Sequence, residues 1–363
     1  MNGRGIVFTG PFTLEFDAFG FDEDALAPTE VLIRTDRSLI SPGSELSVLN
    51  DIATTAPTIY SATPGGSDFE GAAPWCPDGP YPARTGYANV GHVVARGRRA
   101  RVGIGERVLT MTRHASVVRT DSDWFALALP DDLDDARAPF VRLAGVSMTA
   151  LRVSSAGVGD AAVVLGLGLV GNFAAQLLAI AGCRVIAFDP SPGRREIAAA
   201  CGITAFDPAQ VDPVEFVRSR NGGANDEGAG AQIVIEATDR SEHLVSQAVA
   251  LAGRMGEVVL LGTPRRPYAE SLVEMVARVH WLGIKVIGAI EWQFPIGRRT
   301  PRARHTMEGN FLELIELIRQ ERLFVDPVLT HVLPASAAAT AFSGLTSDVD
   351  HYLGVELDWS DGD

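Results

Sequence analysis

Three glycines carry the first legible chemistry. Gly166-Leu167-Gly168-Leu169-Val170-Gly171 is a G-x-G-x-x-G run. The spacing alone is common in turns. Here it begins where the apolar run 161–165 ends and leads into an amphipathic stretch over 170–181, the strand–turn–helix setting in which such glycines cradle a pyrophosphate. The first glycine permits the tight turn, the second lets a phosphate approach the backbone, and the third lets helix and strand pack closely. The helix start, at Leu169 and Val170, then supplies free N–H groups and a partial positive charge. Asp189 closes the next apolar run, within a few residues of the expected spacing of about 20. A carboxylate there accepts hydrogen bonds from both hydroxyls of an adenosine ribose and repels a 2′-phosphate. It predicts NAD(H) over NADP(H), with Arg194 and Arg195 nearby as cations that would tolerate the phosphate. The alternative for Asp189 is a helix-entry carboxylate ahead of Pro190. Thr238, Gly262 and Thr263 follow two later apolar runs. Ligands gather at the carboxyl ends of parallel strands, so these residues are expected to line the same trough.

The elements needed to hold these residues are visible in the hydrophobic pattern. Six short apolar runs, 161–165, 184–188, 203–205, 232–236, 257–261 and 285–288, alternate with helical stretches such as 170–181, 194–201 and 241–252. That rhythm predicts an α/β doubly wound parallel sheet with helices on both faces. Residues 1–125 read differently, as short strands (31–34, 91–95, 107–111) punctuated by Gly and Pro. After a helix over 311–320, the segments 325–333 and 355–357 return to that strand-rich style. The expected organisation is a nucleotide-binding domain over 148–288, inserted in a partner domain formed by 1–147 and completed by 289–363. The stretch 50–85, rich in Pro, Gly, Ser and Thr, is far longer than an ordinary connection. It reads either as a functional lid or as a surface insertion.

Composition excludes several classes. The 363 residues hold 31 Lys and Arg against 45 Asp and Glu, a formal charge of −14. A phosphate-backbone binder carries the opposite balance, so no nucleic-acid partner is expected. Cys76, Cys183 and Cys201 are the only cysteines, too few for a disulfide framework or a four-cysteine zinc lobe. No apolar run has membrane-spanning length and no signal-peptide core follows Met1. The expectation is a cytoplasmic protein without a membrane partner.

Taken in order, Glu30-Val31-Leu32-Ile33-Arg34, Gly86-Tyr87-Ala88-Asn89-Val90-Gly91, Gly105-Glu106-Arg107-Val108, the glycine run and Gly262-Thr263-Pro264 resemble the medium-chain dehydrogenase/reductase superfamily over nearly the whole chain. The resemblance implies a GroES-like β-rich catalytic domain beside a Rossmann domain with a six-stranded sheet. It also implies a nicotinamide cofactor, a small-molecule substrate and a homodimer or homotetramer. Zinc-dependent members hold a catalytic metal with Cys, His and a third Cys or Glu. Matched segment by segment, those positions fall at Pro42, Tyr87 and Arg142, and Ala88 stands where Glu follows the His. Zinc needs three protein ligands and an open position, so neither a catalytic nor a structural zinc is expected. The pattern resembles a zinc-independent branch, which includes bacteriochlorophyllide-type hydroxyethyl dehydrogenases and sugar- or cyclitol-linked oxidoreductases.

That match implies interconversion of a secondary alcohol and a ketone on a polar small molecule. Reduction of an activated C=C bond, as in enoyl and quinone reductases, and a nucleotide-binding role without turnover both stay open. Tyr87, in the lost ligand position, either donates its phenolic O–H to the developing alkoxide or only fills the void with its ring. Ser44 matches a proton-relay hydroxyl or is a turn residue. Glu45 orients its loop, pairs with an arginine such as Arg142, or acts as a base. Val170 is expected to press the nicotinamide toward substrate. His92 and His114 are expected to be packed or exposed rather than catalytic. Arg298, Arg299, Arg302 and Arg304 cluster with His305, either to receive an anionic group or as a solvated loop or subunit contact. Trp75, Trp281 and Trp292 line substrate space or pack in core and interface.

Overall fold

The computed structural model describes residues 1–50, 81–222, 226, 228–238, 244–262, 272–297 and 303–360. Thr263, Trp75, Cys76, Arg298, Arg299, Arg302 and nearly all of the 50–85 stretch lie outside the described residues.

The six apolar runs form one parallel sheet. Its strands are β8 (Ala161–Leu165), β9 (Arg184–Phe188), β10 (Thr204–Phe206), β11 (Ala231–Glu236), β12 (Ala252–Leu260) and β13 (Lys285–Gly288), in spatial order β10-β9-β8-β11-β12-β13. Every neighbouring pair is parallel. A strand covered by helices on both faces needs apolar side chains at every position rather than alternation, and all five residues of β8 are buried. The chain runs outward from β8 to β10 and then returns to β11, so the order reverses between β8 and β11. Phe188, Leu165, Glu236, Leu260 and Gly288 share one register row at the carboxyl ends. The residues just after that row form the rim of the crevice.

Among the described residues the second sheet has seven strands. They are β3 (Glu30–Leu39), β4 (Asn89–Arg96), β5 (Arg107–Thr110), β6 (Val117–Asp121), β7 (Leu127–Ala128), β14 (Leu329–Pro334) and β15 (Gly354–Asp358). The order is β14-β15-β3-β4-β5-β7, with β6 also paired to β3. The C-terminal strands therefore join the N-terminal ones, β15 lying antiparallel to β3. A hairpin of β1 (Asn2–Gly10) and β2 (Thr13–Gly20) makes a further two-stranded sheet.

Helix Phe140–Val153 ties the two sheets together. Phe140, Val141, Leu143, Ala144 and Met148 share one apolar core with Leu169, Phe173 and Leu177 of the helix after the glycine run, and with Phe311, Leu314 and Ile318 of helix Met307–Arg319. A Cβ at Gly145 would come within 2.1 Å of the Phe311 ring, so glycine sets that crossing. The sequence pattern misses this helix, the hairpin, and the helices Pro42–Leu49 and Ala338–Ser347. It also starts the helix after β9 two residues late. Ser191 caps Pro192–Ala200, and Pro192 occupies its first turn, a favoured place for proline.

Candidate active site

The three glycines differ in what surrounds them. Gly166 has φ 88°, and a Cβ there would stand 2.8 Å from Thr238 Cγ2. A Cβ at Gly171 would stand 2.0 Å from the Gly166 carbonyl oxygen. Gly168, at the N-cap with φ −60° and ψ 177°, would place a Cβ in open space, with no atom within 4 Å. No side chain caps helix Leu169–Ile180, so its first N–H groups face the space beside Gly168. This is the cradle a pyrophosphate requires, and the residues fit a dinucleotide. Val170 is half-buried, and its carbonyl is held by the Ser147 hydroxyl at 2.7 Å. Leu169 sends its side chain into the core at 3% exposure, so what it can offer a cofactor is its helix-terminal N–H.

Around this cradle the rim residues are mutually fixed. Asp189 accepts the Leu167 N–H at 2.7 Å on one oxygen and the Ser191 N–H at 2.8 Å on the other. It therefore reads the glycine turn directly. Arg194 Nη1 lies 3.7 Å from Asp189 Oδ2, whereas Arg195 turns back onto the carbonyls of Asp189 and Pro190, both at 2.7 Å. The Ser191 hydroxyl donates to Asp350 at 2.5 Å, a second carboxylate that the sequence reading misses. Thr238 donates its N–H to Glu236 at 2.8 Å and its hydroxyl to the same oxygen. Gly262 donates to the Glu236 carbonyl at 2.8 Å, and a Cβ there would stand 1.9 Å from the Thr238 carbonyl oxygen.

The second constellation surrounds Tyr87. Gly86 has φ 109°, and a Cβ there would meet the His114 nitrogen at 2.5 Å, so only glycine lets the chain pass and deliver Tyr87. The phenolic oxygen makes a short hydrogen bond with Ser41 Oγ and a longer one, 3.4 Å, with Ser44 Oγ. Ser41 is the N-cap of helix Pro42–Leu49, yet its hydroxyl faces Tyr87 instead of capping the helix. The Arg142 guanidinium lies over the Tyr87 ring, 4.8 Å from its centre. Burial pushes the Tyr87 phenol above its ordinary value; Arg142 and the two serines pull it down, and Glu45 adds to the rise.

Glu45 needs a correction. It is buried, with one oxygen accepting the Ser41 N–H at 2.7 Å and the other 2.9 Å from His114 Nε2. Its partner is His114, not Arg142, and both oxygens are engaged away from the phenol. It anchors the serine turn rather than facing a substrate as a base. His114 is fully buried and bonds Ser38 at 2.8 Å through its other nitrogen. His92 is exposed and pairs with Asp36 at 2.7 Å. Arg142 instead pairs with the buried Glu291, at 3.0 and 2.8 Å to its two oxygens.

The arrangement has relatives. The family model described as zinc-binding dehydrogenase matches residues 170–293. The 2-dehydro-3-deoxy-L-galactonate 5-dehydrogenase of Pseudoalteromonas atlantica is 24% identical over 60% of this chain and 57% of its own. The 2-desacetyl-2-hydroxyethyl bacteriochlorophyllide A dehydrogenase of Rhodobacter capsulatus is 30% identical over 63% and 62%. The matches thus span little more than half the length of these curated relatives. The crystal structure of 2R,3R-butanediol dehydrogenase from Bacillus subtilis superposes with a TM-score of 0.76 at 18% identity, over 98% of this chain and 99% of that one. The zinc-binding dehydrogenase match over 170–293 and the dehydrogenase relatives support the resemblance to the medium-chain dehydrogenase/reductase superfamily.

Within that superfamily a catalytic zinc would call on Pro42, Tyr87 and Arg142. Proline offers no side-chain donor, and a guanidinium carries the metal's own sign of charge. The donor set does not fit zinc. Among the described residues no group of three or more His, Cys, Asp or Glu could hold a metal. Trp292 packs on Trp124, with ring centres 6.5 Å apart, while Trp281 is 76% exposed. Of the arginine cluster, Arg304 and His305 are described; burial and the neighbouring Arg152 and Arg304 hold the His305 imidazole below its ordinary value. Ser41, Glu291 and Asp350 are the participants that sequence reasoning misses, and Arg142 is read there only as a lost ligand position and a candidate partner of Glu45. One signal was available: an arginine set inside the apolar run Phe140-Val141-Arg142-Leu143-Ala144.

Proposed function

We propose that this chain is a zinc-independent, NAD(H)-preferring oxidoreductase that interconverts a secondary alcohol and a ketone on a polar small molecule. The observation that carries the proposal is the pairing of an open phosphate cradle at Gly168 with a phenol, Tyr87, set among two hydroxyls and a buried cation. The bound nicotinamide supplies or accepts hydride. In reduction Tyr87 gives its proton to the developing alkoxide, and Ser41 or Ser44 relays a replacement proton from solvent to the phenol; in oxidation the same path runs in reverse. Glu45 and His114 hold the serine turn so that both hydroxyls reach the phenol. Ser147 fixes the backbone at Val170. Asp189, with Asp350 beside it across Ser191, supports preference for an unphosphorylated ribose. The sugar-acid relative named above supports a polar, hydroxylated substrate.

Self-association belongs to the same proposal. Val273, Val276 and Trp281 on helix Leu272–Leu282 and Val286 on the edge strand β13 are exposed, an apolar surface that suits a second copy. No helix among the described residues is long and apolar enough to cross a membrane. Free Cys183 and Cys201 suit the reducing cytoplasm proposed for this enzyme. The test is loss of reduced-nicotinamide absorbance against parallel ketone and enone panels. Turnover of ketones supports the proposal; turnover confined to enones, or to neither panel, overturns it.

A further inference from the structure

Arg142 is costly where it stands. It is 4% exposed, inside helix Phe140–Val153, and its charge is compensated by Glu291 from the turn Glu291–Gln293. A buried ion pair of this kind repays its desolvation only with excellent geometry, and replacement by apolar side chains is often neutral or stabilising. Only part of the guanidinium is engaged by Glu291, and Nε is buried without a hydrogen-bond partner among the described residues. Its face lies over the Tyr87 ring at 4.8 Å and, more distantly, over Phe311 at 5.8 Å. The rings are thus the surface to which this cation presents itself.

We propose that Arg142, held by Glu291, is a positioning residue that supplies the fixed positive charge of this pocket and acts through Tyr87, favouring negative charge on the phenol oxygen as the proton moves. A cation over an aromatic face is attracted by the ring and more strongly once the ring carries phenolate charge. Among the described residues, the charged and titratable groups facing Tyr87 are few. Arg142 comes from helix Phe140–Val153, Glu45 from helix Pro42–Leu49 with His114 behind it, and Glu291 reaches the phenol's surroundings through Arg142. Burial and Glu45 raise the proton affinity of the phenol, and Arg142 is the cation that opposes them. This inference deepens the proposed function and rests on Tyr87 as the proton donor.

The experiment reads the phenol itself. Tyrosine ring-carbon resonances, with Tyr87 assigned by comparison with Y87F, are followed from about pH 7 to about pH 11. The samples are the full-length wild type, E291Q and R142M/E291Q. The two variants both carry a neutral residue at 291, so neither leaves a buried carboxylate unpaired, and their difference isolates the Arg142 charge. The expected result is that Tyr87 titrates earlier in E291Q than in wild type. In R142M/E291Q it should titrate later than in E291Q by about one pH unit or more, a tenfold change in acid constant. In turnover, both limbs governed by Tyr87 should move in the same directions, with R142K/E291Q close to E291Q. Coincident titrations of E291Q and the double variant overturn the proposal, as does a phenol that stays protonated to about pH 11 in E291Q. Unchanged turnover in Y87F would instead defeat the donor reading while leaving the titration result standing.

Discussion

Gly168→Ala separates cofactor binding from stability. At φ −60° and ψ 177° the backbone suits an L-residue, and the added Cβ meets no atom within 4 Å. Losing glycine's unfolded-state freedom at such a site stabilises by about 0.4–1 kcal/mol, so Tm should hold or rise slightly. The same methyl group stands where a pyrophosphate must approach the helix N-terminus. Displacing the phosphate from one charge-assisted N–H hydrogen bond costs about 1.5–3 kcal/mol, which is roughly a 10- to 150-fold rise in Kd. Gly171→Ala is the internal contrast. Its Cβ would stand 2.0 Å from the Gly166 carbonyl oxygen, so backbone must shift, and crowding of this sort costs about 1–3 kcal/mol. Its Tm should fall, with binding weakened secondarily. The assay is a fluorescence titration with NADH beside a thermal melt of each variant. Wild-type NADH affinity in Gly168→Ala, or a clear loss of Tm in that variant, would refute the cradle.

Other outcomes follow from the same geometry. Tyr87→Phe should lower kcat by about 10²–10⁴ with NADH affinity unchanged; steady-state kinetics beside a cofactor titration checks both. Asp189→Ala should shift the NADPH-to-NADH affinity ratio upward, and Asp350→Asn should shift it the same way by less; competitive titrations read the ratios. Glu45→Leu should destabilise by about 2–5 kcal/mol, because it strands the Ser41 N–H and a buried His114 nitrogen, seen in denaturant unfolding. Glu356 is fully buried with neither carboxylate oxygen hydrogen-bonded among the described residues, and burial raises its pKa well above the ordinary carboxylate range. The folded state then holds a proton that the unfolded chain releases, so stability falls as pH rises through the window above the unfolded value. Glu356→Gln should raise Tm near neutral pH and change it little below about pH 4, read by melts across pH.

What the sequence disclosed tracks what is local. The glycine run, its strand and its helix are contiguous, so the run in that setting predicts the cradle, and the six apolar runs match the six strands, most clearly at the buried central strands β8 and β11. Tyr87 and Ser44 were legible only through resemblance. The rest is tertiary. Arg142 meets Glu291 across 149 residues, and Ser191 meets Asp350 across 159, distances at which no spacing rule operates. Glu45 shows the same limit, since an acid near a lost metal position does not announce whether histidine or arginine will face it. Helix Phe140–Val153 belongs with these, because its place is set by the core it shares with Phe173 and Phe311 from two other helices.

The proposed function requires that a nicotinamide dinucleotide be gripped beside a pocket that works without a metal. Calorimetric titration of NADH into protein dialysed against a strong chelator tests it most directly, with zinc measured in the same sample. Binding should saturate at one NADH per chain with no zinc present and gain nothing when zinc is added. Absence of binding, or binding and turnover that return only with stoichiometric zinc, would contradict it.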